Sequence, residues 1–320
     1  MSLAVSHMLD ELFLEAERSG MLLAPSDRAT RMALSRRMRR GDVVRPFRNM
    51  YAPASMWDAL PWQERTSRII HTYAALYPSC VFCSYTAAFI LGLQVPKYRV
   101  TGGLHILSGK GVAGHGVVHH AIPHCPVEYR GQLAVTSRER TAYDCMARAG
   151  FRRGLAVADS LLRLTGRDRG DVLDCLERSY AGFRGISRVR QSMAHADARS
   201  ENGGESYARA VMIEYGVQLP DLQVEIPRPD DPHRPFRLDY YWELANGKKI
   251  GGELDGLDKT EDESMRGGRS RAEVLFEERT RGSLITAMGI QVVRFTFKMA
   301  QQTFPLLERL DLYGIPRRGR

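Results

Sequence analysis

The sequence has no apolar run approaching the roughly 18 residues that a membrane-spanning helix needs. Its opening stretch, Met1–Leu9, lacks the charged start and apolar core of a secretory signal, so the expected location is the cytoplasm. Five cysteines, an odd number in 320 residues, supply no disulfide framework, and reduced thiols are expected. No internal repeat is visible. Gly109-Lys110-Gly111 lacks the remainder of a phosphate-binding loop and reads as a turn. Cys80-x-x-Cys83, with His119, His120, His124 and Cys125 downstream, lacks a second tight ligand pair. Cys83 therefore reads as a small hydrophobe in an apolar strand rather than as a zinc ligand. What is present is 43% hydrophobic residues, enough for real cores, in a length that suits two or three units. The formal charge of +9 favours a polyanionic partner.

That charge is uneven. Leu9, Leu12, Phe13 and Ala16 have the spacing of an amphipathic helix over Ser6–Arg18, which Gly20 ends. Ser26-Asp27 offers an N-cap for a second helix to Arg40, with Met32, Leu34 and Met38 expected inward and Gly41 closing it. Two short strands follow, around Val43 and Tyr51, on either side of Pro46-Phe47-Arg48. Two helices and a small hairpin are the outline of a winged helix-turn-helix. Arg28, Arg31, Arg36, Arg37, Arg39, Arg40, Arg45 and Arg48 stand against one acid, Asp42, a surplus of seven charges in this window. Such a surface is expected to neutralise phosphates of double-stranded DNA.

The second concentration of chemistry is acidic. Arg237–Trp242 and Ile250–Asp255 read as neighbouring strands joined by an Asn246-Gly247 turn. Alternation puts Glu253 and Asp255 on one face, and the hairpin can bring Asp239 to the same side. Crowded carboxylates repel unless a cation sits among them, so Mg²⁺ or Mn²⁺ is the expected occupant. An isoleucine and two glycines precede Glu253, which suggests an interior strand.

These residues resemble the PD-(D/E)XK restriction-endonuclease-like nucleases, in the branch close to very-short-patch-repair endonucleases. The resemblance implies an opening helix from Glu205 to about Tyr215 and strands near Gln223–Ile226, Phe236–Trp242 and Lys249–Asp255. A helix over Ala272–Met288 and a strand over Ile290–Phe297 complete the order. It further implies that Asp239 and Glu253 hold the metal, that Asp255 completes or orients the site, and that Glu205 supports it or holds a second ion. Asp255 stands where the family's Glu-x-Lys has its lysine, and Lys259 is the nearest substitute for that amine.

The N-terminal region, through Gly41–Tyr51, Ser84–Gly92 and Thr136–Asp144, is similar to the type IV abortive-infection antitoxin family (AbiEi). That similarity implies a winged helix that represses its own operon and a mixed domain that counters a partner toxin protein. The expected organisation is a multi-domain α+β chain. It comprises a winged helix DNA-binding domain over 1–60, an antitoxin-like mixed α/β domain over 61–150, a helical connector over 151–200 and a PD-(D/E)XK nuclease-like α/β domain over 201–320. Arg199–Gly204, polar with two glycines, reads as the linker before the last of these. Two roles remain open: a metal-dependent endonuclease that hydrolyses phosphodiester bonds, or an antitoxin-like transcriptional regulator whose nuclease-like domain is catalytically silent.

Overall fold

The computed structural model describes residues 3–108, 116–122, 125–231, 233–255 and 271–318. The chain is a mixed α+β protein that divides into two compact units, Met1–Thr141 and Ala142–Arg320. Among the described residues no helix is long and apolar enough to cross a membrane.

The first unit opens with α1 (Leu3–Arg18) and α2 (Arg28–Arg40), followed by the antiparallel hairpin of β1 (Val43–Phe47) and β2 (Met50–Pro53). The Asp27 side chain accepts the Thr30 N–H at the start of α2, and Gly41, at φ 85°, ends it. Leu9, Phe13, Leu34, Val43 and Tyr51 close one core between these elements. Each such buried side chain contributes about 1.5–3 kcal/mol. The expectation for Met32 is corrected: it is 51% exposed. Ala33 and Leu34, rather than Met32, supply the buried stripe of α2.

Then come α3 (Ala54–Ala59), α4 (Trp62–Leu76), β3 (Val81–Phe82), α5 (Ser84–Leu91) and α6 (Lys97–Thr101). Strands β4 (Leu104–Leu107), β5 (Val117–His120), β6 (Val127–Arg130) and β7 (Leu133–Thr136) complete a sheet ordered β5-β4-β3-β7-β6. Cys83 is fully buried beside β3, and burial pushes the Cys80 thiol up to about 11. His124 lies outside the described residues. Helix α7 (Arg138–Arg148) carries the division between the units.

In the second unit α8 (Phe151–Thr165), α9 (Arg169–Tyr180) and α10 (Ile186–Ala194) precede α11 (Gly203–Glu214). The helices expected as a connector therefore belong to the same compact unit as the residues that follow. The stretch expected as a loose linker is held in place. Ser200 is buried, its carbonyl accepts a hydrogen bond from Arg163, and Asn202 caps α11 through the N–H groups of Gly204 and Glu205. A buried ion pair, in which one Arg209 Nη lies 2.8 Å from both Asp159 oxygens, fixes α11 against α8.

Strands β8 (Asp221–Ile226), β9 (Phe236–Glu243) and β10 (Lys249–Asp255) form an antiparallel meander. Helix α12 (Arg271–Ala287) then crosses to β11 (Ile290–Thr296), which runs parallel to β10. The order β11-β10-β9-β8 makes β10 an interior strand. Helices α13 (Phe297–Gln302) and α14 (Phe304–Leu312) follow. The glycines before Glu253 have a packing reason. A Cβ on Gly251 would stand 2.8 Å from Leu238 Cδ1, and one on Gly252 would stand 2.8 Å from the Trp242 ring.

Candidate functional site

Strict alternation would put Phe236, Leu238, Tyr240 and Trp242 on one face of β9. Instead Phe236 and Leu238 pack with Ile285 and Ile290, whereas Tyr240 and Trp242 pack in the other layer with residues of α11 and α14. The break falls at Asp239. Opposite it, Gln223 has φ 53°, and the β8–β9 ladder lacks the Gln223–Asp239 pair. The β9–β10 ladder also ends there, at Tyr240 with Gly252, while β10 stays paired with β11 as far as Asp255 with Thr296. Beyond that point Asp239 Oδ2 accepts the Leu254 N–H at 3.0 Å, so a side chain takes over a backbone donor as the strands part.

The parting opens a groove lined by Asp239, Glu253 and Asp255, the three acids expected together. Sequence reading sets them within a few ångströms of one another. Among the described residues, however, no three His, Cys, Asp or Glu groups are grouped closely enough to hold a metal ion. The geometry gives the reason for Glu253. Its Oε1 accepts from Arg281 on α12 and its Oε2 lies 3.1 Å from Arg294 on β11, so both oxygens are drawn to guanidiniums. Asp255 is exposed at the end of its strand. Lys259, expected to supply the amine, lies outside the described residues.

Glu205 is 4% exposed and sits at the third position of α11. Its carboxylate accepts the Glu201 N–H at 2.8 Å, the Asn202 side-chain N–H and, at 3.2 Å, Gln223 Nε2, while its carbonyl accepts the Tyr240 hydroxyl at 2.8 Å. Asn202-x-x-Glu205 is thus close to a capping box, a pattern legible in the sequence. Burial pushes the Glu205 carboxyl up to about 7, opposed by the Glu201 N–H and reinforced by the charges of Asp239 and Glu201.

The donors are all carboxylate oxygens, the chemistry that Mg²⁺ and Mn²⁺ take. The charge of Asp239 is one of the causes that raise the Glu205 carboxyl, which puts two acids near one another where α11 meets β9. On these two grounds the residues fit a hard divalent cation, with Glu253 needing release from its arginines. Sequence reading missed those arginines. Arg294 was accessible in principle, because parallel register puts it directly beside Glu253. Arg281 was not, because the rotation of α12 is set by packing.

In the first unit, Arg28, Arg31, Arg36, Arg39, Arg40, Arg45 and Arg48 are exposed, and none forms an ion pair among the described residues. Arg37 differs. It is partly buried and binds Asp10 at 2.7 Å and Ser6 at 2.6 Å, clamping α2 to α1. It leaves the set of freely available cations.

Two proteins of Mycobacterium tuberculosis are similar to this chain: Uncharacterized protein MT2308, from strain CDC 1551 / Oshkosh, and Uncharacterized protein Rv2248, from strain ATCC 25618 / H37Rv. Each is 28% identical over 217 residues, covering 67% of this chain and 74% of the relative. No family model and no solved structure matches the chain.

Proposed function

We propose that this is a DNA-binding protein whose second unit carries a restriction-endonuclease-like, metal-dependent site for phosphodiester hydrolysis. The observation that carries the reading is the groove itself, where Asp239, Glu253 and Asp255 lie beside Arg281 and Arg294. Acids suited to a hard cation stand next to cations suited to a phosphate. The order of α11, the β8–β10 meander, α12 and parallel β11 supports it. In the first unit, α2 and the β1–β2 hairpin would act as recognition helix and wing, with their seven exposed arginines on duplex phosphates.

Asp239, Glu253 and Asp255 would hold Mg²⁺ or Mn²⁺, which when bound supplies positive charge at the reacting phosphate and a stronger nucleophile from water. Asp239 is oriented for that task by the Leu254 N–H. Glu205, with its proton affinity near neutrality, limits the negative charge stacked behind Asp239. Arg281 and Arg294 offer guanidinium N–H groups to phosphate oxygens.

A second reading, the antitoxin-like regulator with a silent site and a toxin partner, is favoured by one observation. Both Glu253 oxygens already have cationic partners, and Asp255 stands in the lysine position. Thermal unfolding with and without Mn²⁺ separates the two when DNA cleavage is assayed on the same preparations. Binding to the native state alone adds about 2.7 kcal/mol at a hundredfold excess over Kd. The expected rise in midpoint is abolished by Asp239→Ala or Glu253→Ala. A rise without cleavage selects the regulator. Neither rise nor cleavage in folded protein makes the carboxylates structural and ends the metal reading.

A further inference from the structure

Glu253 is the most deeply placed member of an ionic set that also holds Arg281, Arg294 and, 4.0 Å from Arg294 and half exposed, Glu278. The Glu253 side chain is 12% exposed, against 32% for Arg281 and 35% for Arg294. An anion entering the groove therefore meets the guanidiniums before the carboxylate. Arg281 is already oriented, since its second Nη donates to the Arg237 carbonyl at 2.7 Å and its guanidinium lies 5.9 Å from the centre of the Phe236 ring. Arg294 is fixed by strand register, directly beside Glu253 on the neighbouring parallel strand. Two guanidiniums turned onto the two oxygens of one carboxylate present the donor pattern that also suits two phosphate oxygens.

From this geometry we infer that Arg281 and Arg294 are the groove's phosphodiester-binding pair, and that Glu253 occupies them as an internal anion until a DNA phosphate takes its place. The inference rests on the metal-site reading above and deepens it. Released from the pair, Glu253 becomes available to a divalent cation. Phosphate and metal therefore each remove an obstacle to the other, and linkage requires the coupling to be reciprocal. Without DNA, metal uptake must break an ion pair in a partly desolvated place. With DNA, it need not.

The test is calorimetric titration of Mn²⁺ into the full chain, alone and saturated with a phosphorothioate duplex, with the duplex's own Mn²⁺ uptake subtracted. The expected result is about tenfold tighter Mn²⁺ binding in the presence of the duplex, within the ordinary range of coupling between sites. In Arg281→Gln with Arg294→Gln, Mn²⁺ binds the free protein more tightly than it binds free wild type, and the duplex no longer changes its affinity. Wild-type protein needs no variant for the first comparison, so a destabilised variant does not remove the test. Equal Mn²⁺ affinity with and without duplex in wild type overturns the internal-anion arrangement and leaves the metal site standing. No Mn²⁺ binding by any of the proteins overturns the metal reading together with this inference.

Discussion

The arginines of the two units live in different circumstances. Those of α2 and the β1–β2 hairpin, Arg37 apart, are exposed and form no ion pair among the described residues. In the second unit the same residue type is repeatedly engaged: Arg209 with Asp159, Arg152 with Glu214, Arg237 with Glu201, and Arg281 and Arg294 with Glu253. The net surplus of the chain is therefore concentrated in α2 and the β1–β2 hairpin, as the proposed recognition of a polyanion requires. Paired arginines serve architecture and the organisation of the acidic groove. Count alone would not distinguish the two uses.

The comparison is broken most sharply at Arg209. Its partner Asp159 is fully buried, and burial pushes that carboxyl up even with the guanidinium beside it. Arg209→Ala strands the carboxylate, and a loss of about 3–5 kcal/mol is expected. Urea denaturation measures it. A loss under about 1 kcal/mol, the range of exposed pairs, would show that this pair is no more structural than a surface one.

Next in size is Glu205→Gln. The folded-state carboxyl is raised to about 7 from an ordinary 4.5, so folding favours its protonated form. That contribution is fully present below pH 4.5 and is lost as pH rises through 7, by about 3 kcal/mol in the absence of divalent cations. The glutamine variant should therefore match wild type near pH 4.5 and exceed it at pH 8. Parallel stability profiles for the two proteins would remove Glu205 from the account.

Smaller effects sharpen the contrast within the first unit. Arg37→Ala, which breaks a partly exposed clamp to Asp10, is expected to lower stability by at most about 1 kcal/mol. Replacing Arg36, Arg39 and Arg40 by alanine should move stability by less than about 0.5 kcal/mol each. It should nevertheless flatten the slope of log DNA affinity against log salt by about 0.9 for each lost phosphate contact. An unchanged slope would mean that these exposed arginines are solvated and do not bind DNA.

Much of the architecture was legible because it rests on local chemistry. Asp27 and Gly41 mark the ends of α2, and Asn246-Gly247 marks the turn into β10. Met32 was misread because it fits a helical apolar pattern, although the core accepts Ala33 and Leu34 instead. The stretch Arg199–Gly204 was misread because polarity and glycine describe a linker and a helix cap equally well. Asn202 and Glu205 make it a cap.

By itself the sequence determined which carboxylates share a strand face, because alternation along β10 is a property of the backbone, and where the positive charge accumulates, because eight arginines fall in one short window. It did not determine the company those carboxylates keep. The parting of β9 from β10 at Asp239, the burial of Glu205 beneath Tyr240, and the arrival of Arg281 beside Glu253 depend on twist, helix rotation and packing among segments far apart in the chain. Those are decided only when the two core layers close on the sheet, since the position of a long side chain on α12 is fixed by what Ile285 and Leu238 bury together.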